Sequence, residues 1–417
     1  MPCSMKSKVK EKELQLPDKM DKWQQLEQKL FMRTINRLPV TLVRGQGARV
    51  WDIEGKEYLD FVAGWAVDSL GHCHPSVVEA LQQQAQTLIH VSNQFYTIPQ
   101  VQLAELLTNN SCLDRVFFCN SGAEANEGAM KLARRYGKLH LNGAYKIITT
   151  QGSFHGRTLA MVAATGQDTH QEPYIPLPDG FINVAYDDVE SIKAATTAQT
   201  CAVMVEPIQG EGGVNVPDAN YLKAIRAWCD QKGILLILDE VQTGIGRIGS
   251  LFAYEQAGVE PDIMSLAKGL GSGVPVGAFL AKDRVSVFAP GEHGNTFGGS
   301  PLMCAASLAT LRFIIDNNIP QKVQKVGQYF IEGLEELKTK FDFITGVRGR
   351  GLLLALAFTD DIAEEVTLAC LNEGLLVNKL KPNAIRFTPP LIITEKDVDQ
   401  ALSVLQKVFK RRLNDVG

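Results

Sequence analysis

ILLILDEVQTGIGR, residues 234–247, runs five apolar residues directly into an acid pair. Such a run reads as a strand buried on both faces. Two carboxylates at its end are costly unless a positive group meets them. A second run, DIMSLAKGLGSGVPVGA (262–278), leads from apolar residues onto one cation, Lys268. We therefore read the two strand ends together, as halves of one site.

Working outward, the same rhythm repeats. RVFFCN (115–120) precedes the helical AEANEGAMKLARRYG (123–137) and then KIITT (146–150). CAVMVEP (201–207) precedes the helical NYLKAIRAWCDQKG (220–233), which closes on Gly233. Apolar strands alternating with amphipathic helices predict a mostly parallel, doubly wound α/β sheet covered on both faces. Asn120 and Ser121, the stretch 152–157, Glu206, Asp239 and Lys268 each follow one of these strands. In such a sheet the carboxyl ends of the strands form the ligand crevice, so five segments converge on one edge.

Before this region, VTLVRGQGARVWDIEGKEYLDF (40–61) alternates and turns like a small antiparallel hairpin, with a helix expected from Trp23 to about Arg37. The first twenty or so residues read as a solvated arm. After residue 310 the chain returns to helices and short strands. TEKDVDQALSVLQKVFKRRL (394–413) is an amphipathic helix, with Thr394 and Asp397 resembling a capping box. The expected division is an arm and part of a small α+β domain at 1–70, a large domain at 71–310, and the rest of the small domain at 311–417.

With 417 residues, 45% hydrophobic, 21% charged and a net charge of −4, the chain reads as an ordinary globular protein. It has no basic footprint for nucleic acid, no apolar run long enough for a bilayer, and no apolar core to its N-terminus of the kind a secretory signal needs. The eight cysteines include no CxxC pair, which points to reduced thiols in the cytoplasm.

A partly desolvated lysine such as Lys268 has a lowered pKa and attacks carbonyls to form a Schiff base. A carboxylate opposite it, Asp239, is the group that keeps a pyridine nitrogen protonated, which makes pyridoxal phosphate an electron sink. The competing reading is a buried structural ion pair. Ser121 and Gly122 lie where a strand turns into a helix, and free N–H groups there suit a phosphate dianion. The plainer reading is a serine cap on a tight turn. GLGSGVPVG (269–277) resembles a dinucleotide loop but opens no helix, so that reading fails on context.

SGAEANEGAMKLAR (121–134), SFHGRT (153–158), EPIQGEGG (206–213), LDEVQTGIGR (238–247), AKGLGSG (267–273), NTFGGSPL (295–302) and RFTPPL (386–391) occur in this order. Together they resemble the class III (ω-amino acid) aminotransferases of pyridoxal phosphate fold type I, from about residue 30 onward. Within that family, residues 45–75 look most like the acetylornithine aminotransferases of arginine biosynthesis. The resemblance makes Lys268 the Schiff-base lysine and proton shuttle, and Asp239 the partner of the pyridine nitrogen. It places Gln242 at the phenolic oxygen, Val241 and Phe154 on the two ring faces, and Ser121, Gly122 and Ala123 in the phosphate loop. Thr296 matches a phosphate ligand delivered from a second subunit, which implies a homodimer. Without the resemblance, Phe154 would read as an ordinary core residue. Arg157 and Arg386 match the arginines that bind substrate carboxylates, with Asn295 included in the substrate region. Glu206 matches a glutamate that pairs with Arg386 when no carboxylate is present; its plainer reading is a buried strand-end acid. The implied substrates are N-acetylornithine and 2-oxoglutarate, with glutamate as product; the alternative donors are ornithine, 4-aminobutyrate or another acyl-ornithine or acyl-lysine, and no metal is expected.

Ornithine δ-aminotransferases carry tyrosines that hold the substrate's free α-amino group. At the matching places this chain has Arg49 and Trp65. Trp65 also departs from the smaller aliphatic residue of acetylornithine enzymes, and Asp68 from their asparagine. His72 and His74 in GHCHP are read as turn histidines rather than metal ligands, and His155 as structural. Cys119 has no evident activating partner.

Overall fold

The computed structural model describes residues 20–416. The expected solvated arm lies outside the described residues. β1 (Leu42–Gln46), β2 (Arg49–Asp52) and β3 (Glu57–Asp60) pair antiparallel, one strand more than a hairpin. The preceding helix spans Lys22–Leu30, not Trp23 to Arg37. It buries no residue, and residues 31–38 are all exposed, so no packed face sustains further turns.

The large sheet contains β4 (Arg115–Cys119), β5 (Lys146–Thr150), β6 (Phe181–Val184), β7 (Thr200–Val205), β8 (Leu235–Asp239), β9 (Ile263–Leu266) and β10 (Gly277–Ala281). Their order is β4-β10-β9-β8-β7-β5-β6. β10 runs antiparallel to both neighbours, β4 and β9; the other pairs are parallel. β7, β8 and β9 are buried at every position, as expected of strands covered on both faces. Asp239 pairs with Ser265 at the end of the β8–β9 ladder, which puts Lys268 three residues beyond that register point.

A second antiparallel sheet is built from β11 (Ile344–Arg350), β12 (Leu353–Phe358), β14 (Asn378–Lys381) and β15 (Ala384–Phe387), in the order β11-β12-β15-β14. The two-residue β13 (Leu375–Leu376) instead joins β3 in parallel, tying the two ends of the chain together. The final helix, Glu395–Val416, buries Val398, Ala401, Leu405, Val408 and Phe409 along one face. Thr394 donates to Asp397 from its backbone N–H at 2.9 Å and its hydroxyl at 2.8 Å. Among the described residues no helix is long and apolar enough to cross a membrane.

Candidate active site

Asp239 ends β8 with three contacts to its carboxylate, one of them to Oδ1, which leaves room for a further donor. Oδ2 accepts from Asn126 Nδ2 at 2.8 Å and meets His155 Nδ1 at 2.7 Å, while Oδ1 accepts from the Val241 N–H at 3.0 Å. Asn126 is fixed in turn by the Ser265 hydroxyl, which donates to its side-chain oxygen at 2.5 Å, and by the His155 carbonyl, which accepts from its amide at 2.8 Å. All four side chains are buried. His155 is thus more than core filling: it orients the acid, and its Nε2 has no partner among the described residues.

Lys268 follows β9 in a left-handed conformation, φ 43°. Burial pushes its ammonium pKa down; Glu211 opposes that most strongly, Arg386 adds to it, and Asp239 and Glu206 oppose it in turn. A lysine held this way is a better nucleophile and base than a solvated one.

Ser121 caps the helix Gly122–His140, accepting from the Glu124 N–H at 3.2 Å. The N–H groups of Gly122 and Ala123 belong to the first turn, where no intrahelical acceptor exists. A Cβ on Gly122 would lie 2.8 Å from Val241 Cγ1, so only glycine lets the loop and Val241 approach this closely. Phe154 donates its N–H to Glu206 Oε1 at 2.9 Å, and the exposed Arg157 lies over its ring with the guanidinium carbon 5.4 Å from the centroid.

Arg386 is fully buried on β15. Its Nη1 donates to Glu211 Oε1 at 2.6 Å and Gln242 Oε1 at 3.1 Å, and Nη2 donates to Asn378 Oδ1 at 2.8 Å. This corrects the expected pairing with Glu206. Glu206 accepts instead from the N–H groups of Phe154 and Gly210, the latter at 3.0 Å. Burial and then the Asp239 carboxylate raise its pKa to about 7. Arg386 overcomes the burial of Glu211 and lowers that carboxyl to about 2. The second glutamate of EPIQGEGG, not the first, is the arginine's partner. Gln242 lies on the same cluster, its Nε2 3.4 Å from Glu211 Oε1.

Two expected residues are not brought in by this chain alone. Thr296 is exposed, next to the exposed Phe297. Asn295 is spent on structure, its Nδ2 donating to the Phe118 carbonyl at 2.9 Å and its Oδ1 accepting from the Gly298 N–H. Arg49 is also committed elsewhere, to Asp397 at 3.1 Å and Glu57 at 3.3 Å. Cys119 is buried, with its thiol pushed up to about 12. Among the described residues no cluster of His, Cys, Asp or Glu could hold a metal ion.

These residues fit pyridoxal phosphate. A glycine with no space for a side chain lies at a helix start with unpaired N–H groups, which suits its phosphate. A buried carboxylate and a half-buried lysine at neighbouring strand ends suit the two ends of its chemistry.

Comparison with known proteins agrees. The family model for aminotransferase class-III matches residues 31–409. The acetylornithine aminotransferase of Caldanaerobacter subterraneus subsp. tengcongensis is 51% identical over 384 residues, 92% of this chain and 98% of that protein. That of Methanocaldococcus jannaschii is 49% identical, over 93% of this chain and 98% of its own length. Among solved structures, the ornithine aminotransferase of Toxoplasma gondii ME49 superposes with a TM-score of 0.91 at 36% identity, covering 94% of this chain and 95% of that one. The match in family, in length and in fold coincides with the Lys268–Asp239 geometry, and the chain belongs to the class III aminotransferases, which are pyridoxal phosphate-dependent transferases.

Proposed function

We propose that this chain transfers the δ-amino group of N-acetylornithine to 2-oxoglutarate, giving N-acetylglutamate 5-semialdehyde and glutamate. The observation that carries it is the neutralised arginine: Arg386 is buried and already paired with Glu211. An amino donor whose reacting carbon bears no carboxylate needs no free arginine beside it, whereas 2-oxoglutarate does. A site serving both must cover and uncover one cation, and Glu211 is placed to do so. The names of the two acetylornithine aminotransferases compared above point the same way.

Pyridoxal phosphate, when bound, supplies the electron sink that carries the amino group between the two half-reactions. Gly122 and Ala123 would hold its phosphate, Asp239 its ring nitrogen, and Val241 and Phe154 its ring faces. Lys268 Nζ takes the proton from Cδ of the donor and returns one to Cα of the glutamate formed. Arg157 binds the carboxylate far from the ring, and Arg386 the near carboxylate of 2-oxoglutarate. We further propose a homodimer, with Thr296 of one chain serving the site of the other. The apolar side chains exposed nearby, Phe95, Tyr96, Ile98, Val101 and Phe297, support such a contact.

The acyl group follows from Arg49 and Trp65. Arg49 is tied to Glu57 and Asp397, and no tyrosine stands at either place to receive a free α-ammonium. Burying an unpaired ammonium costs several kcal/mol. Acetylation removes that charge and leaves a neutral amide beside the Trp65 ring. The expected kcat/KM for N-acetylornithine exceeds that for ornithine by roughly 10²-fold, equivalent to about 2.7 kcal/mol. 4-Aminobutyrate, with its shorter reach, is expected to be poorer still. Steady-state rates for the three amines with 2-oxoglutarate decide this; parity between ornithine and N-acetylornithine sinks the acyl assignment.

Glu211→Gln tests the switch. With the arginine no longer neutralised, α-carboxylates bind beside the ring in either half-reaction. Glutamate as amino donor is expected to gain at least about tenfold in kcat/KM relative to N-acetylornithine. An unchanged ratio would show that Glu211 does not gate Arg386.

A further inference from the structure

One turn beside the site stands in a conformation that L-residues avoid. Ala63, Gly64, Trp65 and Ala66 have φ of 48°, 61°, 62° and 67°. Three of them carry a Cβ, so each pays the steric penalty of the left-handed region. Such strain persists only where the surroundings over-determine it, and it gathers at functional sites. The turn packs against Lys268–Leu270. Just before it, Thr388, two residues past Arg386, donates its N–H to the Phe61 carbonyl and its hydroxyl to the Val62 carbonyl, both at 2.8 Å. The lysine's segment thus packs on the turn, and the chain just past the arginine is bonded to the residues that lead into it. Trp65 remains 50% exposed, so part of its ring is free to meet a ligand.

What holds the turn is Asp60 with its histidine partner. Asp60 Oδ1 accepts from the N–H groups of Val62 at 2.8 Å and Ala63 at 2.9 Å, at the start of the strained run. Its Oδ2 meets His72 Nε2 at 2.7 Å. His72 is itself wedged: a Cβ on Gly45 would lie 2.6 Å from its Cβ, and its backbone bridges Gly47. On the far side of the ring, Nδ1 is 4.0 Å from Asp68 Oδ2. Asp60 and Asp68 are thus the charged groups facing the imidazole, and β1 and the turn after it approach His72 through Gly45 and Gly47. Hydrogen bonding to Asp60 raises the pKa of His72 and outweighs its burial.

We propose that His72 and Asp60 are positioning residues for the amino donor: their pair holds the left-handed turn 63–66 and so fixes Trp65 as the wall against which the donor's acyl end rests. This builds on the acyl-donor reading above. Neither residue touches the reacting atoms, and their effect travels through Trp65.

The test is steady-state kinetics of the holoenzyme, varying each substrate in turn, with whichever amine the wild type consumes fastest as donor. Failure of N-acetylornithine as that amine would overturn the proposed function and leave this experiment intact. His72→Ala is expected to raise the donor KM about tenfold or more, with kcat within about threefold and the 2-oxoglutarate KM within about twofold. His72→Gln, whose amide can still donate to Asp60 Oδ2, is expected to bring the donor KM back to within about threefold of wild type. In a Trp65→Ala background, His72→Ala is expected to add less than about twofold. Equal shifts in both KM values, an unchanged donor KM, or a full His72 effect in the absence of Trp65 would each overturn the proposal. Should His72→Ala not fold, Asp60→Asn keeps an acceptor for both N–H groups but loses the charge. Its donor KM is expected to rise about threefold, and no rise counts against the proposal.

Discussion

Lys268→Ala is expected to lower kcat by about 10⁴-fold or more, because one side chain serves as both nucleophile and proton carrier. The location of Lys268 supports that double role. It stands at the end of β9 where burial depresses its pKa, and the register of β8 and β9 places it near Asp239. The variant should fold, since Lys268 is only half-buried and Glu211 keeps Arg386 as its partner. Added small primary amines should restore part of the lost turnover by taking over the proton transfer. Turnover within tenfold of wild type would rule out the assignment.

Asp239→Asn is expected to lower kcat by about 10³-fold. The carboxylate accepts from Asn126 and Val241 and lies beside His155 Nδ1. An amide in its place brings a donor against one of these donors, and it cannot hold a proton on a ring nitrogen. His155 can adopt its other tautomer and restore one contact, so the loss in stability should stay modest while the loss in rate does not. Near-normal turnover with a large fall in Tm would make Asp239 a structural residue and would contradict its role.

What the sequence made legible follows from where periodicity speaks. β7, β8 and β9 are short, wholly apolar runs, and the residues that end them, Glu206, Asp239 and Lys268, could be placed at one sheet edge without coordinates. The partner of Arg386 was misassigned by the resemblance, not by the periodicity. Glu206 matches its plainer reading as a buried strand-end acid, whereas Glu211 lies in the irregular turn closed by the Gln209–Asn215 bridge, where no period says which way a side chain points. Asn126 and His155 were obscure for a related reason. Their partners are 113 and 84 residues away along the chain, and buried polar residues satisfied at long range carry no local pattern. The strained turn at 63–66 was invisible, because AGWA gives no hint of three left-handed L-residues. The helix after Trp23 was overextended because its spacing suits a helix, yet nothing packs on it.

A single-turnover balance tests the central claim most directly. Enzyme loaded with pyridoxal phosphate is mixed with N-acetylornithine and no acceptor, the semialdehyde released is counted, and 2-oxoglutarate is then added to the separated enzyme. The account predicts one semialdehyde per site in the first step and one glutamate per site in the second, with neither produced by Lys268→Ala. Release of semialdehyde without later formation of glutamate, or no release at all, would contradict it.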